Sequence, residues 1–164
     1  MTPEVYRLRV ATVADVGFLA DVVVEATRDQ GRVPPDFDET EFRTGFADRT
    51  AKQMADPDGA STTYVIEVDG RQAGRLRVVR SQAEIELAGI QLLPGQQSRG
   101  IGTQVITDLL SEASNAGSTV TLSVEKDNPR AHTLYRRLGF AVAGETEKEF
   151  LMRGPAPCSS EPRG

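Results

Sequence analysis

Two residue types that build many small-protein sites are almost missing: the chain has one cysteine, Cys158, and one histidine, His132. One cysteine excludes an internal disulfide framework, and with a single histidine beside it no conventional zinc site and no metal are expected. Basic residues are outnumbered, 19 Lys and Arg against 24 Asp and Glu, for a formal net charge of -5. Nucleic acid is therefore not an expected partner, because neutralising phosphates needs a basic face. No apolar run approaches the ~20 residues that span a bilayer, and the N-terminus carries no basic-then-apolar leader. The expectation is a soluble, unprocessed cytoplasmic protein that engages no membrane. What is present, 38% hydrophobic and 26% charged residues over a length of 164, is the composition of one ordinary domain with room for a sizeable core.

The pattern begins with Val5 to Val10, which alternates apolar and polar residues as a half-buried strand does. Thr12 with Asp15 three residues on starts a helix that carries Val16, Leu19, Ala20, Val23 and Val24 at helical spacing to about Thr27. Gly31 and Pro34-Pro35 break it. Asp38 to Met54 makes a second, more polar helix, closed by the turn Asp56-Pro57-Asp58-Gly59. Thr62–Val68 and Gln72–Val79 are β-rich runs joined by Asp69-Gly70, a strong hairpin signal. Ala83 to Leu93 is long enough for the central strand, and Gly89 inside it predicts a bulge or a close backbone approach. A helix follows from Thr103 to Ala116, then a strand from Thr119 to Val124. Asn128-Pro129 opens a short helix ending at Gly139, and Phe140–Ala143 with Lys148–Met152 reads as a terminal antiparallel pair. Residues 1–153 are expected to form one domain and 154–164 a disordered tail. An exposed terminal strand is a natural place for pairing into a homodimer.

Between the central strand and the third helix stands Gln97-Ser98-Arg99-Gly100-Ile101-Gly102. Its glycines allow a tight turn and leave no β-carbons in the way, and the helix that follows offers free N–H groups and the positive end of its dipole. That combination suits a pyrophosphate. Two other loops are excluded by what they require. A Walker loop needs Gly-Lys-Ser/Thr, whereas Gly102 is followed by Thr103-Gln104, and a dinucleotide fingerprint needs a third Gly or Ala where this chain has Val105. A plain strand-to-helix turn, with glycines that serve geometry alone, is the other reading of the hexapeptide.

The order β-α-α-β-β-β-cradle-α-β-α-β-β resembles the GNAT N-acetyltransferase superfamily. The cradle is similar to its acetyl-CoA signature (Gln/Arg)-x-x-Gly-x-(Gly/Ala), with Gln97, Gly100 and Gly102 in place and Pro94 three residues upstream. The run Asn128 to Phe140 resembles the second signature, Asn-x-x-Ala-x-x-Leu-Tyr-x-x-x-Gly-Phe. The resemblance covers about Thr62 to Arg153. It implies an α+β fold: a mixed, mostly antiparallel sheet with a splayed central strand and helices on both faces. It also implies acetyl-CoA as co-substrate, with Ile90, Gln91 and Leu92 along the pantetheine arm and Gln97, Ser98, Arg99, Gly100, Ile101, Gly102 and Thr103 around the pyrophosphate. Asn128 is implied near the sulfur end of the cofactor, and Tyr135 beside the sulfur.

Acyl transfer to an amine needs a neutral amine, a donor for the developing oxyanion and a proton for the departing thiolate. An alkyl amine arrives protonated, with a pKa of about 10. Glu84 and Glu86 lie two residues apart on one face of the central strand. Glu86 holds the position of the catalytic glutamate in the histone-acetyltransferase branch, where partial burial would raise its pKa. A water chain, Glu84, or two merely solvated glutamates are the other readings. Tyr135 is the candidate acid for the thiolate, and a backbone N–H at Gln91 or Leu92 the candidate oxyanion donor. His132 sits at a variable position of the motif, and with no Gly-x-Ser-x-Gly elbow hydrolase chemistry is not expected. The reading is direct acetyl transfer in a ternary complex to a primary amine of a small molecule or peptide. Asp29, Asp36, Asp38, Glu39 and Glu41 would suit a cationic acceptor. A non-catalytic acyl-CoA-binding module is the alternative.

Overall fold

The computed structural model describes residues 6–55, 60–97 and 99–156. Val5, the turn at 56–59, Ser98 and the tail from 157, with Cys158, lie outside the described residues. Among the described residues seven strands are ordered β1-β2-β3-β4-β5-β7-β6 in one sheet: β1 Tyr6–Val10, β2 Ser61–Val68, β3 Arg71–Arg80, β4 Glu84–Leu92, β5 Thr119–Glu125, β6 Ala141–Glu145 and β7 Glu149–Arg153. The α-helices among the described residues are α1 Val16–Asp29, α2 Glu39–Met54, α3 Ile101–Ala116 and α4 Pro129–Arg137. The chain divides into two compact units, one holding the described residues to Val78 with Gly89–Gly102, the other Val79–Ala88 with the residues from Thr103.

In the first unit β1 runs antiparallel to β2, and the two-residue link Asp69-Gly70 permits only an antiparallel β2–β3 hairpin. Both turn residues have positive φ, 54° and 76°, which is what a type I′ turn requires and why Asp-Gly stands there. The start of α1 differs from a simple capped helix. Thr12 is followed by a single 3₁₀ turn, Val13–Asp15, before α1 begins. The buried Asp15 carboxylate accepts the Thr12 N–H at 2.8 Å and two Arg9 N–H groups at 2.9 and 3.0 Å, so one side chain fastens β1 to the helix start. Asp38 caps α2 by accepting the Glu41 N–H at 3.1 Å. Apolar residues of the two helices close on Val65: Leu19, Ala20 and Phe46 are buried, with Phe18, Val23, Phe42 and Met54 packed around them.

In the second unit β4 runs parallel to β5 over Glu84–Leu87 and Thr119–Leu122. The later strand of the terminal pair, β7, takes the inner place beside β5, and β6 forms the end of the sheet. Burial sets that register. Met152 lies opposite Leu122 and Phe150 opposite Val124, which puts the apolar residues of both strands on one face. Gly117, with φ of 70°, ends α3 in the left-handed conformation. Three residues of the expected tail are described. Gly154 is buried, its N–H donates to the Val120 carbonyl at 2.8 Å, and a β-carbon there would come within 3.0 Å of Leu110.

Candidate active site

Ile90, Gln91, Leu92, Gln97, Arg99, Gly100, Ile101 and Gly102 fall in the first unit, and Glu86, Thr103, Asn128 and Tyr135 in the second. Ser98 lies outside the described residues.

A 3₁₀ turn, Pro94–Gln96, leads from β4 to the cradle. Gln97 turns its side chain back and donates from Nε2 to the Leu92 carbonyl at 3.1 Å, so it braces the loop on the end of β4. Gly100 has φ of 79°, and no atom lies within 4 Å of where its β-carbon would be. Only glycine holds that backbone without strain, and the space above it is open. α3 starts at the next residue. The first N–H groups of a helix have no partner within it, so those of Ile101, Gly102 and Thr103 are available to an anion. The Ile101 side chain is buried in the core, which leaves its backbone as the contacting part. Arg99 adds a positive charge, oriented by Gln96 at 2.5 Å. This arrangement fits a pyrophosphate.

The β4 stretch before the cradle is packed closely. A β-carbon on Gly74 would lie 2.5 Å from the Gln91 carbonyl oxygen and 2.7 Å from a Leu92 methyl. One on Gly89 would lie 2.7 Å from Arg75 Nη1, so what approaches this glycine is a side chain and not the backbone expected there. Arg75 Nη1 donates to Gln91 Oε1 at 2.9 Å.

In the second unit Glu86 stands opposite Thr121 on β5, and Thr121 opposite Arg153 on β7, so the three side chains form one row across three strands. Ser123 and Leu151 form the next row, and the two rows line an open cleft of about 400 Å³ together with Glu84. The glutamates differ in their surroundings. Glu84 Oε1 lies 3.5 Å from Arg153 Nη2, whereas Glu86 has no hydrogen-bond or ion-pair partner among the described residues. Glu86 is exposed at the open cleft, so the partial burial expected of it is not found. Its qualification is a free carboxylate at a cleft.

Asn128 caps α4, its Oδ1 accepting the Ala131 N–H at 3.3 Å. The carboxamide nitrogen has no partner among the described residues and is left to donate elsewhere. Tyr135, on α4, meets the Phe140 ring edge-on at 5.8 Å between centroids. Burial raises its phenol above the ordinary value of 10.0, which keeps it protonated, and therefore a donor, across the neutral range. His132 stacks on Phe150 at 5.1 Å, a packing role. Thr121, Arg153 and Arg75 were not found by sequence reasoning. Their signal is cross-strand register, which one sequence does not print. Among the described residues no group of three His, Cys, Asp or Glu side chains could hold a metal, and no helix is long and apolar enough to cross a membrane.

The sheet order defines an α+β protein whose third helix opens at a glycine-bearing loop with the geometry to receive an anion. The model of the acetyltransferase (GNAT) family matches residues 21–140, and the chain belongs to that family. It is similar to the spermidine N(1)-acetyltransferase of Escherichia coli (strain K12), with 32% identity over 105 residues, 59% of this chain and 54% of the relative. It is also similar to the mycothiol acetyltransferase of Clavibacter sepedonicus, with 39% identity over 106 residues, 62% of this chain and 33% of the relative. The chain spans about half or less of the length of these relatives. Among solved structures, the PaiA N-acetyltransferase from Thermoplasma acidophilum, in complex with coenzyme A, shares the fold at a TM-score of 0.77 and 17% identity, over 92% of this chain and 98% of that one.

Proposed function

We propose that the chain is an N-acetyltransferase that moves the acetyl group of acetyl-CoA directly to a primary amine in a ternary complex. The cradle at 97–103 holds the pyrophosphate, Ile90 to Leu92 follow the pantetheine arm, and the free carboxamide nitrogen of Asn128 contacts the cofactor. The substrate thioester supplies an activated acetyl group, and the chain's own residues handle the protons. Glu86 takes the proton of the incoming ammonium, which frees the nitrogen lone pair to form the new C–N bond. Tyr135 gives the proton at its phenol oxygen to the sulfur that leaves as the C–S bond breaks, and the second proton of the attacking nitrogen, shed as the amide forms, restores the phenol. A backbone N–H at Gln91 or Leu92 is the donor to the carbonyl oxygen.

The observation that carries this reading beyond a cofactor-binding module is the unpaired Glu86 carboxylate at the cleft, beside a Glu84 already engaged by Arg153. Pyrophosphate binding alone calls for neither Glu86 nor a protonated Tyr135. Similarity to a relative named as a spermidine N(1)-acetyltransferase supports an amine as the acceptor. A cytoplasmic enzyme that needs no metal agrees with it, and β6, at the end of the sheet, offers an edge to a second copy. Of the acids that would suit a cationic acceptor, Asp38 caps α2 and Glu39 is paired with Arg28 and Arg43. The test is amine-dependent release of coenzyme A thiol by the wild type and by Glu86→Gln. A rate that depends on the amine and falls about 100-fold in the variant supports the reading, and equal rates contradict Glu86 as the base.

A further inference from the structure

The strand β3 carries Arg75 and Arg77 two residues apart, on one face. Several other arginines of this acidic chain sit with carboxylates. Arg9 pairs with Asp15 and Glu67, Arg28 and Arg43 with Glu39, and Arg80 with Glu112. Arg75 has no carboxylate partner among the described residues. Its guanidinium lies over the Phe46 ring at 5.3 Å, donates from Nη1 to the neutral Gln91 side chain at 2.9 Å, and leaves a buried Nε with no hydrogen-bond partner. Burial lowers its pKa to about 10, and the neighbouring charge of Arg77 pushes the same way. Arg77 is no counter-ion either, its Nη1 donating to the Ser61 hydroxyl at 3.4 Å.

A half-buried cation beside a second cation is an arrangement that folds avoid unless something negative is supplied. Here the strand opposite gives way for it. Position 89, inside β4, has no β-carbon, and one there would lie 2.7 Å from Nη1. An aromatic face, a glycine and a glutamine thus hold the guanidinium in place, with an unused N–H on its Nε edge. A planar guanidinium held in this way matches a carboxylate, which accepts two of its N–H groups at once.

We propose that Arg75 is a specificity residue that binds a carboxylate carried by the acceptor, so that the substrates are amines bearing an acid group, amino acids or peptides rather than polyamines. This rests on the acetyl-transfer reading, which runs the uncharged pantetheine arm along Ile90 to Leu92. An anion beside that stretch then comes from the other substrate, since the pyrophosphate has its own cradle at 97–103.

The experiment offers the full chain matched amines that differ by one carboxylate, L-lysine against cadaverine and L-ornithine against putrescine. Wild type, Arg75→Gln and Arg75→Lys are compared, with the melting shift given by coenzyme A as a check that each variant folds and keeps its cofactor site. The acid member leads in kcat/KM by about tenfold or more in the wild type. The lead vanishes in Arg75→Gln through a raised KM and is partly kept in Arg75→Lys, with an unchanged coenzyme A shift in all three. Equal or better turnover of the diamines, or a lead that survives in Arg75→Gln, overturns the proposal and leaves acetyl transfer standing. If no amine is turned over, acetyl transfer itself is in question, and melting shifts with N-acetyl-L-lysine and N-acetylcadaverine decide the anion site. A shift by the acid alone, lost in Arg75→Gln, supports it, and the absence of such a shift in the wild type overturns it. Should neither variant fold, the wild-type comparison decides by the same criterion.

Discussion

Gly89 and Arg75 share one space: a β-carbon on the glycine would stand 2.7 Å from Nη1 of the arginine. Gly74 is confined in another way, since its β-carbon would meet the Gln91 carbonyl at 2.5 Å and a Leu92 methyl at 2.7 Å. The end of a side chain can give way slightly where a strand carbonyl cannot. Gly74→Ala is therefore expected to cost about 1–3 kcal/mol and to lower the melting temperature more than Gly89→Ala. Thermal melts of the two variants check this, and the reverse order would contradict the packing.

The Arg9 guanidinium, with help from the Thr12 N–H, holds the buried Asp15 carboxyl below its ordinary value of 3.8. A carboxyl lowered in the folded state contributes stability that is present above its unfolded pKa and lost as pH falls through the folded one. Asp15→Asn is expected to lower stability at neutral pH and to flatten the acid limb below about pH 4. Urea melts of both proteins between neutral and acid pH read the difference. Parallel curves would remove Asp15 from the account.

Asn128 has two separable duties. Asn128→Ala removes the cap on the Ala131 N–H and is expected to cost about 1 kcal/mol. Asn128→Asp keeps an acceptor at the N-cap and loses the carboxamide donor, so it should melt near the wild type while responding less to coenzyme A. Thermal melts with and without coenzyme A separate the two effects, and an undiminished response in Asn128→Asp would limit Asn128 to capping.

What could be read from the sequence was local. Asp69-Gly70 gave away its hairpin because only such a pair tolerates two positive φ values in succession. Asp38 marked the start of α2, and Gly100 the turn into α3, for equally local reasons. What escaped depends on register. β7 lies inside β6 because Met152 must face Leu122, and the row Glu86–Thr121–Arg153 exists only once that pairing is made. Arg75 looks in sequence like one more polar residue of an alternating strand. Its burial against Phe46 and Gly89 brings together three segments far apart in the chain. The sequence places Glu86 ahead of Glu84 as the base by position alone, and the structure distinguishes them further through the contact of Glu84 with Arg153.

Glu86 is exposed and unpaired, so Glu86→Gln should change stability by no more than about 0.5 kcal/mol while lowering amine acetylation about 100-fold. Glu84→Gln breaks only the contact with Arg153 and should leave the rate within a few-fold. Thiol release and melting curves for both variants check the assignment. A larger loss in Glu84→Gln would transfer the role of base to Glu84.

Acetyl transfer with Tyr135 as proton donor is checked by release of coenzyme A thiol from acetyl-CoA, measured for wild type and Tyr135→Phe. A blank without amine is needed, because Cys158 itself reacts with thiol reagents. Burial raises the phenol, and the protonated form is the active one, so the alkaline limb of the rate is expected to lie above the ordinary value of 10.0. The account predicts amine-dependent release that falls about 100-fold in Tyr135→Phe, with an unchanged melting shift on adding coenzyme A. Release that is the same in Tyr135→Phe would contradict the role of Tyr135, and no amine-dependent release from a protein that still binds coenzyme A would contradict the enzyme.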